Sequence, residues 1–592
     1  MDRCADVPFS TADSAFWPPA RALRMPVTSL LPMSNITAAW LPFDLNYPRR
    51  ATHRQATLGK PNYGIFPDDT STFMTFKRFL PSFFLLLLLA TLFAVSGCSV
   101  NPVTGERELS LLSTAEQVAI GEAQYFPSRQ MQGGDLVVDP ALSAYTASVG
   151  ERLANHSDLA LPYEFVVLNS SVPNAWALPG GKIAVNRGLL LELDSEAELA
   201  AVLGHEIVHA AAGHGAQMMQ RGMILQGVLL ATAVAAQRSD YSDLAIGAAS
   251  VGAQLLNQRY GRSAELEADY YGMGYLAAAG YDPEAAVTLQ ETFLRLSAGR
   301  SEGWLAGLFA THPPSQERVD RNRSTATALV GGGVLERERF QAAISDLRRN
   351  QPAYTAYDEG RIALSEDRLQ DAARLADEAA QLLPEEALFH ALQGDVDVRQ
   401  NRVAAAIDHY ADAITLHDQF FYYHLQKGLA HRALDQRNQA QTHLEASVDL
   451  FATADAHYAL GTLAESRGDR ETALEHYSIA AESDSPAGKA AQETMVRLDL
   501  PLNPGRYLQL TTHTDTQGQL VIQIGNPTGV TVTNLGLAIR YVDSQGNLRQ
   551  TTRTLNQTFQ PGTGTQLATG LGPFVNSSSY QVEIQTARVV NN

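Results

Sequence analysis

Four glycines recur at an almost constant interval in the second half of this 592-residue chain, and this regularity constrains the fold more than any other sequence feature. The glycines lie 34, 34 and 33 residues apart, and an alanine follows each of them twelve residues later. Small residues at two fixed points of a repeating unit let two antiparallel helices approach closely. The residues are Gly360, Gly394, Gly428 and Gly461, with Ala372, Ala406, Ala440 and Ala473.

The period is that of tetratricopeptide repeats, in which stacked helix pairs present a concave face to protein partners. In two units an aromatic residue, Tyr410 or Tyr477, follows the alanine by four positions. We therefore predict an all-α tetratricopeptide-repeat solenoid over residues 350–495. The alternative, an irregular helical domain, has to explain three nearly equal spacings by chance.

The sequence after the repeats indicates β-structure. Residues 503–592 contain short runs of alternating polarity, and the segment DSQGNL (543–548) between two of these runs is typical of a hairpin turn. We predict a small C-terminal β-sandwich over this range.

A short apolar run near the start of the chain predicts a lipoprotein signal peptide at residues 74–97. Residues 83–95 would form only about 20 Å of helix, short of the roughly 30 Å core of a bilayer, and they follow Lys77 and Arg78. The run ends in Val-Ser-Gly-Cys, which resembles a bacterial lipobox and implies lipidation of Cys98. A short uncleaved anchor is the alternative.

Two expectations follow from this segment. Met74 begins a well-formed signal peptide, so we expect translation to start there and residues 1–73 to be a non-native or disordered extension. The lipobox resemblance, with serine after the cysteine, implies a protein that faces the periplasm and is anchored to the outer membrane of a Gram-negative bacterium.

The sequence His205-Glu206-Ile207-Val208-His209 lies within an alanine-rich helical pattern. Histidines four residues apart share a helix face and can bind one ion, while Glu206 projects about 100° away, where it can act as a base. Such a motif arises by chance in roughly two of every hundred chains of this composition. Because the chain has only two cysteines, a metal here must be held by histidines and carboxylates.

The third ligand has to come from another segment. We expect the motif helix to continue through residue 213, which would turn His214 about 180° away from His205 and exclude it. Glu265 and Asp269, four residues apart, share a face of a later helix, whereas Glu267 points elsewhere. One carboxylate can bind zinc and the other can orient a ligand histidine. The alternative is a solvated acidic face, but the apolar residues nearby predict a buried helix whose acids need a charged partner.

Five motifs in order give the chain a resemblance to the gluzincin zinc metallopeptidases of the CAAX prenyl endopeptidase and HtpX type, most closely to the BepA-like periplasmic metalloproteases with tetratricopeptide repeats. The resemblance implies an α+β zincin-like metallopeptidase domain over residues 98–335 that binds one Zn²⁺ per chain. It implies His205, His209 and Glu265 as zinc ligands, Glu206 as the base, Asp269 as the residue that orients a ligand, and His312 and Arg318 as further catalytic residues. The motifs are NPVTGERELSLLS (101–113), NAWALPGGKIAVNRGLL (174–190), LGHEIVHAAAGHG (203–215), YGRSAELEADYYG (260–272) and THPPSQER (311–318).

Three segments near this site have open interpretations. His312 precedes Pro313, which favours an extended, exposed loop. Its imidazole can reach the metal as a fourth zinc ligand that acts as a latch, or it can stabilise the transition state. The alternative is a histidine that lies on the surface and has no role in the site. Residues 174–177 (Asn174, Ala175, Trp176 and Ala177) indicate an edge strand beside which a substrate can pair, or else a core strand. Residues 223–236 are too short to span a bilayer and are interpreted as a helix that covers the site.

Together these features predict a multidomain, lipid-anchored zinc metalloendopeptidase with polypeptide substrates. The family resemblance implies misfolded or stalled outer-membrane proteins as substrates and an envelope partner, such as the outer-membrane assembly machinery, bound through the repeats. The formal net charge of −19 argues against nucleic acid as a partner. The alternative is a non-proteolytic, zinc-containing chaperone or scaffold, against which Glu206 argues because structural zinc sites need no base.

Overall fold

A computed structural model describes residues 98–222, 259–299, 311–329, 332–574 and 576–590. Within this part, the chain forms two compact units: residues 98–128 with Pro140–Ser345, and Arg129–Asp139 with the residues from Asp346 onward. The predicted extension, the signal peptide and the helix over residues 223–236 lie outside the described residues. Among the described helices, none combines the length and the apolar character that a membrane span requires.

A three-stranded sheet organises the unit that contains the histidine motif. Its central strand, Lys182–Asn186, pairs in parallel with Glu164–Leu168 and antiparallel with Ala175–Leu178. The segment interpreted as a sheet edge therefore coincides with an edge strand, and the side chains of its four residues are buried. A separate two-stranded sheet pairs Cys98–Val100 with Arg107–Leu109.

The helix Glu196–Ala211 carries the motif, and all of its residues are buried. Ser195 caps its start, since the hydroxyl accepts a hydrogen bond from the backbone N–H of Glu198 at 3.2 Å. Glu196 accepts hydrogen bonds from Tyr145 and Tyr281, both at 2.6 Å, which satisfies a buried carboxylate in the first turn. The other helices of this unit are Thr114–Met131 (which ends in the second unit), Pro140–Ala154, Arg187–Leu190, Arg262–Ala278, Glu284–Gly299, Gln316–Ala328 and Arg337–Ala343.

Two glycines bring the motif helix against the helix Arg262–Ala278. A Cβ atom on Gly272 would lie 3.0 Å from the backbone nitrogen of His205, and one on Gly204 would lie 3.1 Å from the carbonyl oxygen of Gly272. The helices therefore cross with their backbones close together at this point. This crossing places the acids of the second helix beside the histidines of the first.

The second unit is mostly helical, with the helix pairs that the glycine period predicts. The recurring glycines lie on the first helix of each pair and face the second: a Cβ on Gly394 would lie 2.7 Å from the ring of Tyr410, and one on Gly461 would lie 2.6 Å from the ring of Tyr477. These contacts explain why the small residues recur. The helices are Ser345–Arg349, Gln351–Ser365, Leu369–Leu382, Ala387–Arg399, Val403–Leu416, Phe421–Ala433, Arg437–Leu450, Ala454–Ser466, Arg470–Ala480, Pro486–Asp499 and Pro504–Tyr507.

The C-terminal residues form two three-stranded antiparallel sheets. The β-structure that the alternating runs predicted is therefore present, and the β-sandwich arrangement stays a prediction. The predicted hairpin is present, since Val542 pairs with Leu548 across the turn and Gly546 adopts a φ of 81°. One apolar core draws side chains from both sheets. In spatial order the strands are Gly564–Ala568, Leu520–Gly525 and Gln509–Thr514 in one sheet, and Tyr580–Val589, Val532–Val542 and Leu548–Leu555 in the other.

Candidate metal centre

Four buried side chains from three segments converge at one point. His205, His209, Glu265 and His312 each offer a ligand atom, and these atoms all lie within 4.8 Å of one another. The Nε2 atoms of His205 and His209 are 3.0 Å apart, which follows from their i, i+4 spacing on one helix face. Glu265 Oε1 lies 3.4 Å from His209 Nε2. The structure thus brings the three predicted ligands together.

Asp269 and Arg318 hold His205 and Glu265 in position. His205 Nδ1 lies 2.9 Å from Asp269 Oδ1, so this nitrogen carries the proton and Nε2 presents its lone pair to the cluster. Arg318 donates from Nε and Nη2 to the two oxygens of Asp269, at 2.7 Å each, and its Nη1 lies 2.7 Å from Glu265 Oε2. Arg318 therefore contacts both the predicted ligand Glu265 and Asp269, the carboxylate that orients His205, and its assignment as a catalytic residue stays a prediction.

His214 does not face away from the site, and that prediction is wrong. The motif helix ends at Ala211 because Gly213 adopts a left-handed φ of 69°, and the chain changes direction before His214. Nδ1 of His214 lies 2.8 Å from Nδ1 of His209, and its Nε2 lies 3.2 Å from Glu267 Oε1. Glu267, which was also expected to point elsewhere, thus completes a chain of hydrogen bonds that leaves His209 Nε2 free to bind a metal.

The prediction that His312 lies on an exposed loop is also wrong. Its side chain is buried, because the ring packs against the ligands and lies 5.2 Å from the ring of Tyr260. His312 Nδ1 is 3.0 Å from Glu265 Oε1 and 3.3 Å from His205 Nε2. Its Nε2 lies 3.7 Å from Glu206 Oε1. The ring therefore lies between the ligand cluster and the predicted base.

Tyr260 was not predicted from the sequence. Its ring stacks on that of His209, with centroids 3.9 Å apart and an interplanar angle of 23°. This contact fixes the plane of the His209 ring, as the bond to His214 fixes its rotation. Tyr260 directly precedes the glycine that starts the helix of Glu265, so the YGRSAELEADYYG motif contained the signal, but nothing in the sequence showed which ring it would cover.

The pKa values of the buried ionisable groups are shifted in different directions by this environment. Burial raises the pKa of Glu206, and the neighbouring His312 and His205 only partly offset this effect. Burial also acts to raise the pKa of Glu265, but the neighbouring histidines, His312 foremost, outweigh it and hold that pKa well below its usual value. Burial lowers the pKa of His209 well below its usual range, which keeps the ring neutral as a metal ligand must be.

The donor set fits a zinc ion. Two imidazoles and a carboxylate are a donor set of catalytic zinc sites, which leave a further position for water or substrate. The buried carboxylates of Glu265 and Asp269 contact the guanidinium of Arg318, Glu206 is a third buried carboxylate beside them, and a divalent cation bound at this cluster would add the positive charge that buried carboxylates need. Glu206 Oε2 and His312 Nε2 are buried and have no hydrogen-bond partner. These orphaned atoms lie where a bound water or substrate group can satisfy them.

A small cleft, with a volume of about 30 Å³, opens beside the cluster. Glu206 and His312 line its polar side, while its apolar side chains come mainly from the helix Glu284–Gly299 and from Met273. The cleft can accept an apolar group next to the base.

The sequence pattern of Peptidase family M48 matches residues 140–326, which include every residue of this cluster. The metalloprotease YcaL of Escherichia coli is 31% identical over 183 residues, which cover 30% of this chain and 67% of that protein. The β-barrel assembly-enhancing protease of the same species is 29% identical over 284 residues, 46% of this chain and 55% of that protein. This chain thus spans about half the length of the first curated relatives that it matches.

Among the solved structures that match this chain is the crystal structure of TTC0263, a thermophilic tetratricopeptide-repeat protein of Thermus thermophilus. It is 19% identical with a TM-score of 0.24, and the match covers 36% of this chain and 99% of that one. Because this TM-score is low, the repeat fold is supported by the helix pairs themselves and not by this likeness. The matched sequence pattern, the identity to YcaL and the buried donor set confirm the predicted relationship and the zinc cofactor: the chain belongs to peptidase family M48.

Proposed function

We propose that this protein is a zinc metalloendopeptidase that hydrolyses polypeptides. The observation that carries the proposal is the position of Glu206, whose buried carboxylate adjoins the ligand His205 in the chain and has one oxygen without a partner. A site that only binds metal gains nothing from an unpaired buried carboxylate, which costs free energy. A hydrolase needs such a group as a proton acceptor.

In this mechanism His205, His209 and Glu265 hold the metal. A zinc ion held by these residues would supply the activation of a water molecule and the polarisation of the scissile carbonyl. Glu206 accepts the proton of the attacking water and donates it to the leaving amine, a role that suits a carboxylate whose pKa is raised by burial. Asp269 keeps the proton of His205 on Nδ1, and Arg318 keeps Asp269 ionised and in place.

We propose two features of substrate binding. The cleft beside Glu206 has an apolar wall that includes Leu289 and Phe293, so it suits an apolar substrate side chain next to the scissile bond. The edge strand Ala175–Leu178 suits pairing with an extended substrate through backbone hydrogen bonds, which tolerates many sequences. Both features fit a protease of unfolded polypeptides.

His312 is proposed to control the site. Its ring has the reach of a fourth ligand, since its ligand atom lies within 4.8 Å of those of the other three residues. In that position it would compete with the catalytic water and keep the enzyme inactive until a substrate or partner moves the segment. The alternative role is transition-state stabilisation, which the partnerless Nε2 also suits.

The cellular role is proposed from the lipobox-like sequence and from the relatives. The curated name "β-barrel assembly-enhancing protease" supports a role in the quality control of misfolded or stalled outer-membrane proteins. Lipidation of Cys98 would anchor the protein to the outer membrane, where it faces the periplasm. The helix pairs would dock an envelope partner such as the assembly machinery, and we propose that the two C-terminal sheets form a β-sandwich.

The domain organisation is part of the same proposal. It comprises a peptidase domain at residues 98–335, repeats at 350–495 and a β-domain at 503–592.

A Glu206→Gln variant tests the enzymatic proposal. It should keep its zinc and its fold but lose cleavage of an unfolded protein, because only the proton acceptor is removed. Glu192→Gln is a control, since this acid lies outside the cluster. Cleavage by Glu206→Gln at the parental rate would exclude this mechanism. If the parent protein itself binds unfolded polypeptides without cleaving them, the chaperone or scaffold function is correct instead. An active parent allows the inactive variant to trap native substrates in the cell envelope.

A further inference from the structure

Three consecutive helix pairs of the repeat array carry histidines at equivalent positions. In each pair, one histidine lies on the first helix and the other follows nineteen residues later on the second helix. The pairs themselves are 34 and 33 residues apart, so they keep the period of the recurring glycines. They are His390 with His409, His424 with His443, and His457 with His476.

The first of these pairs has a carboxylate three residues after its second histidine, a position that is not acidic in the other two pairs. Asp412 follows His409 by three residues on the helix Val403–Leu416, whereas Ala446 and Ile479 occupy the equivalent positions in the next two pairs. His390, His409 and Asp412 offer ligand atoms that lie within 4.8 Å of one another.

A hydrogen bond of His390 and an ion-pair contact of His409 indicate which nitrogen each of these two histidines presents. His390 Nε2–H donates to the carbonyl oxygen of Pro384 at 2.8 Å. His409 Nε2 lies 3.6 Å from Asp397 Oδ2, and its Nδ1 is buried without a hydrogen-bond partner. In a neutral imidazole with its proton on Nε2, the lone pair is on Nδ1. A metal-binding histidine commonly donates its other N–H to a carbonyl or a carboxylate in this way.

The other two histidine pairs satisfy their Nδ1 atoms differently. Nδ1 of His424 lies 3.3 Å from Nδ1 of His443, and Nδ1 of His457 lies 3.1 Å from Nδ1 of His476. In these pairs each ring uses its Nδ1 on its partner. The first pair therefore differs in both its lone pairs and its carboxylate.

We propose that His390, His409 and Asp412 form a second site for a divalent transition metal of the zinc class. Two imidazoles and a carboxylate suit zinc and its neighbours, and solvent completes the coordination because the three side chains are partly or fully exposed. The site joins the helices Ala387–Arg399 and Val403–Leu416, so the bound ion links the two helices of one repeat unit. This inference does not depend on the proposed peptidase activity.

Zinc binding by the full chain, with no affinity tag, tests the site. After equilibrium dialysis against about 10 µM free Zn²⁺, we expect two zinc ions per chain by atomic emission, one of them at the buried cluster. The double variant His390→Gln/His409→Gln should bind one, and the matched double variant His424→Gln/His443→Gln should still bind two. One ion in the parent chain, or equal loss in both double variants, would overturn the proposal.

Two further variants keep the test independent of folding and of activity. Asp412 is exposed, so Asp412→Asn should leave the far-UV circular dichroism unchanged while it weakens binding of the second ion about tenfold. His205→Ala/His209→Ala should lose proteolysis and the buried ion but keep one zinc that His390→Gln then removes. An unchanged affinity in Asp412→Asn, or no zinc in the His205→Ala/His209→Ala protein, would contradict the site.

Discussion

His209 has its ring fixed on two sides by residues that do not bind the metal. His214 bonds to Nδ1 at 2.8 Å, Glu267 bonds in turn to His214, and Tyr260 stacks on the ring. A ligand held in this way loses little conformational freedom when the ion binds. The residues around the ligands therefore set the metal affinity together with the ligands themselves.

We expect His214→Ala to weaken zinc binding by about 10- to 100-fold, because His209 loses the bond that fixes its tautomer. Competition with a chromophoric chelator measures the affinity directly. Glu267→Gln should have a smaller effect, since it acts through His214, and His513→Ala, an exposed residue of the C-terminal sheets, should have none. Parental affinity in His214→Ala would mean that Tyr260 alone orients the ligand.

His312→Ala separates the two roles proposed for this residue. We expect the variant to cleave an unfolded protein faster than the parent, because a fourth ligand that competes with water is removed. Initial rates at saturating zinc, with the zinc content measured in parallel, provide the test. An inactive variant that retains its zinc would show that His312 stabilises the transition state. Unchanged activity and unchanged zinc affinity would contradict both roles.

At the site, the sequence predicted which residues meet but not the surroundings of the histidines. The i, i+4 spacing predicted the pairing of His205 with His209 because helix geometry is regular. His214 was misplaced because the helix was extended past Gly213, although a glycine after the last apolar residue is a common helix end. His312 was placed on the surface because local sequence reports backbone preference and not burial, which depends here on residues distant in the chain.

Among the elements, the helix pairs were the most predictable because each needs only local contacts. Their glycines recur where a second helix approaches, so the period can be recognised in the sequence without knowing which distant residues are in contact. The crossing of Glu196–Ala211 with Arg262–Ala278 was not predictable in the same way. Gly204 and Gly272 allow it, but they are 68 residues apart and no periodicity connects them.

Gly461→Ala should destabilise the repeat array by about 1–3 kcal/mol, as is typical of an overpacked core. The added Cβ would lie 2.6 Å from the ring of Tyr477, which cannot easily move because its hydroxyl donates to Glu465 at 2.8 Å. Denaturant unfolding followed by circular dichroism gives the change. Gly274→Ala, in a helix with open space around that position, is the matched control and should be neutral or stabilising by up to about 1 kcal/mol. Equal stability of both variants would contradict the packing explanation.

At the scale of the whole molecule, the candidate metal centre and the helical repeats belong to different parts of the chain. The buried carboxylates around the histidine motif belong to one compact unit, and the helix pairs and C-terminal sheets belong to the other. The two units are stabilised in different ways. The repeats are held by packing between neighbouring helices, whereas the candidate metal centre contains three buried carboxylates, which a bound cation would help to balance.

Removal of zinc should therefore loosen one unit and not the other. A ligand that binds only the folded state stabilises it by about 4 kcal/mol at a thousand times its Kd, and here that free energy offsets the cost of buried carboxylates. Hydrogen–deuterium exchange with and without a chelator measures the effect by segment. In the His390→Gln/His409→Gln background, where only the buried cluster binds zinc, we expect faster exchange in Glu196–Ala211 and Arg262–Ala278 and no change in Ala454–Ser466. A Glu265→Gln chain, which already lacks a ligand, should respond much less to the chelator. Faster exchange throughout the repeats would show that the ion stabilises the whole molecule, and this separation of the two units would be wrong.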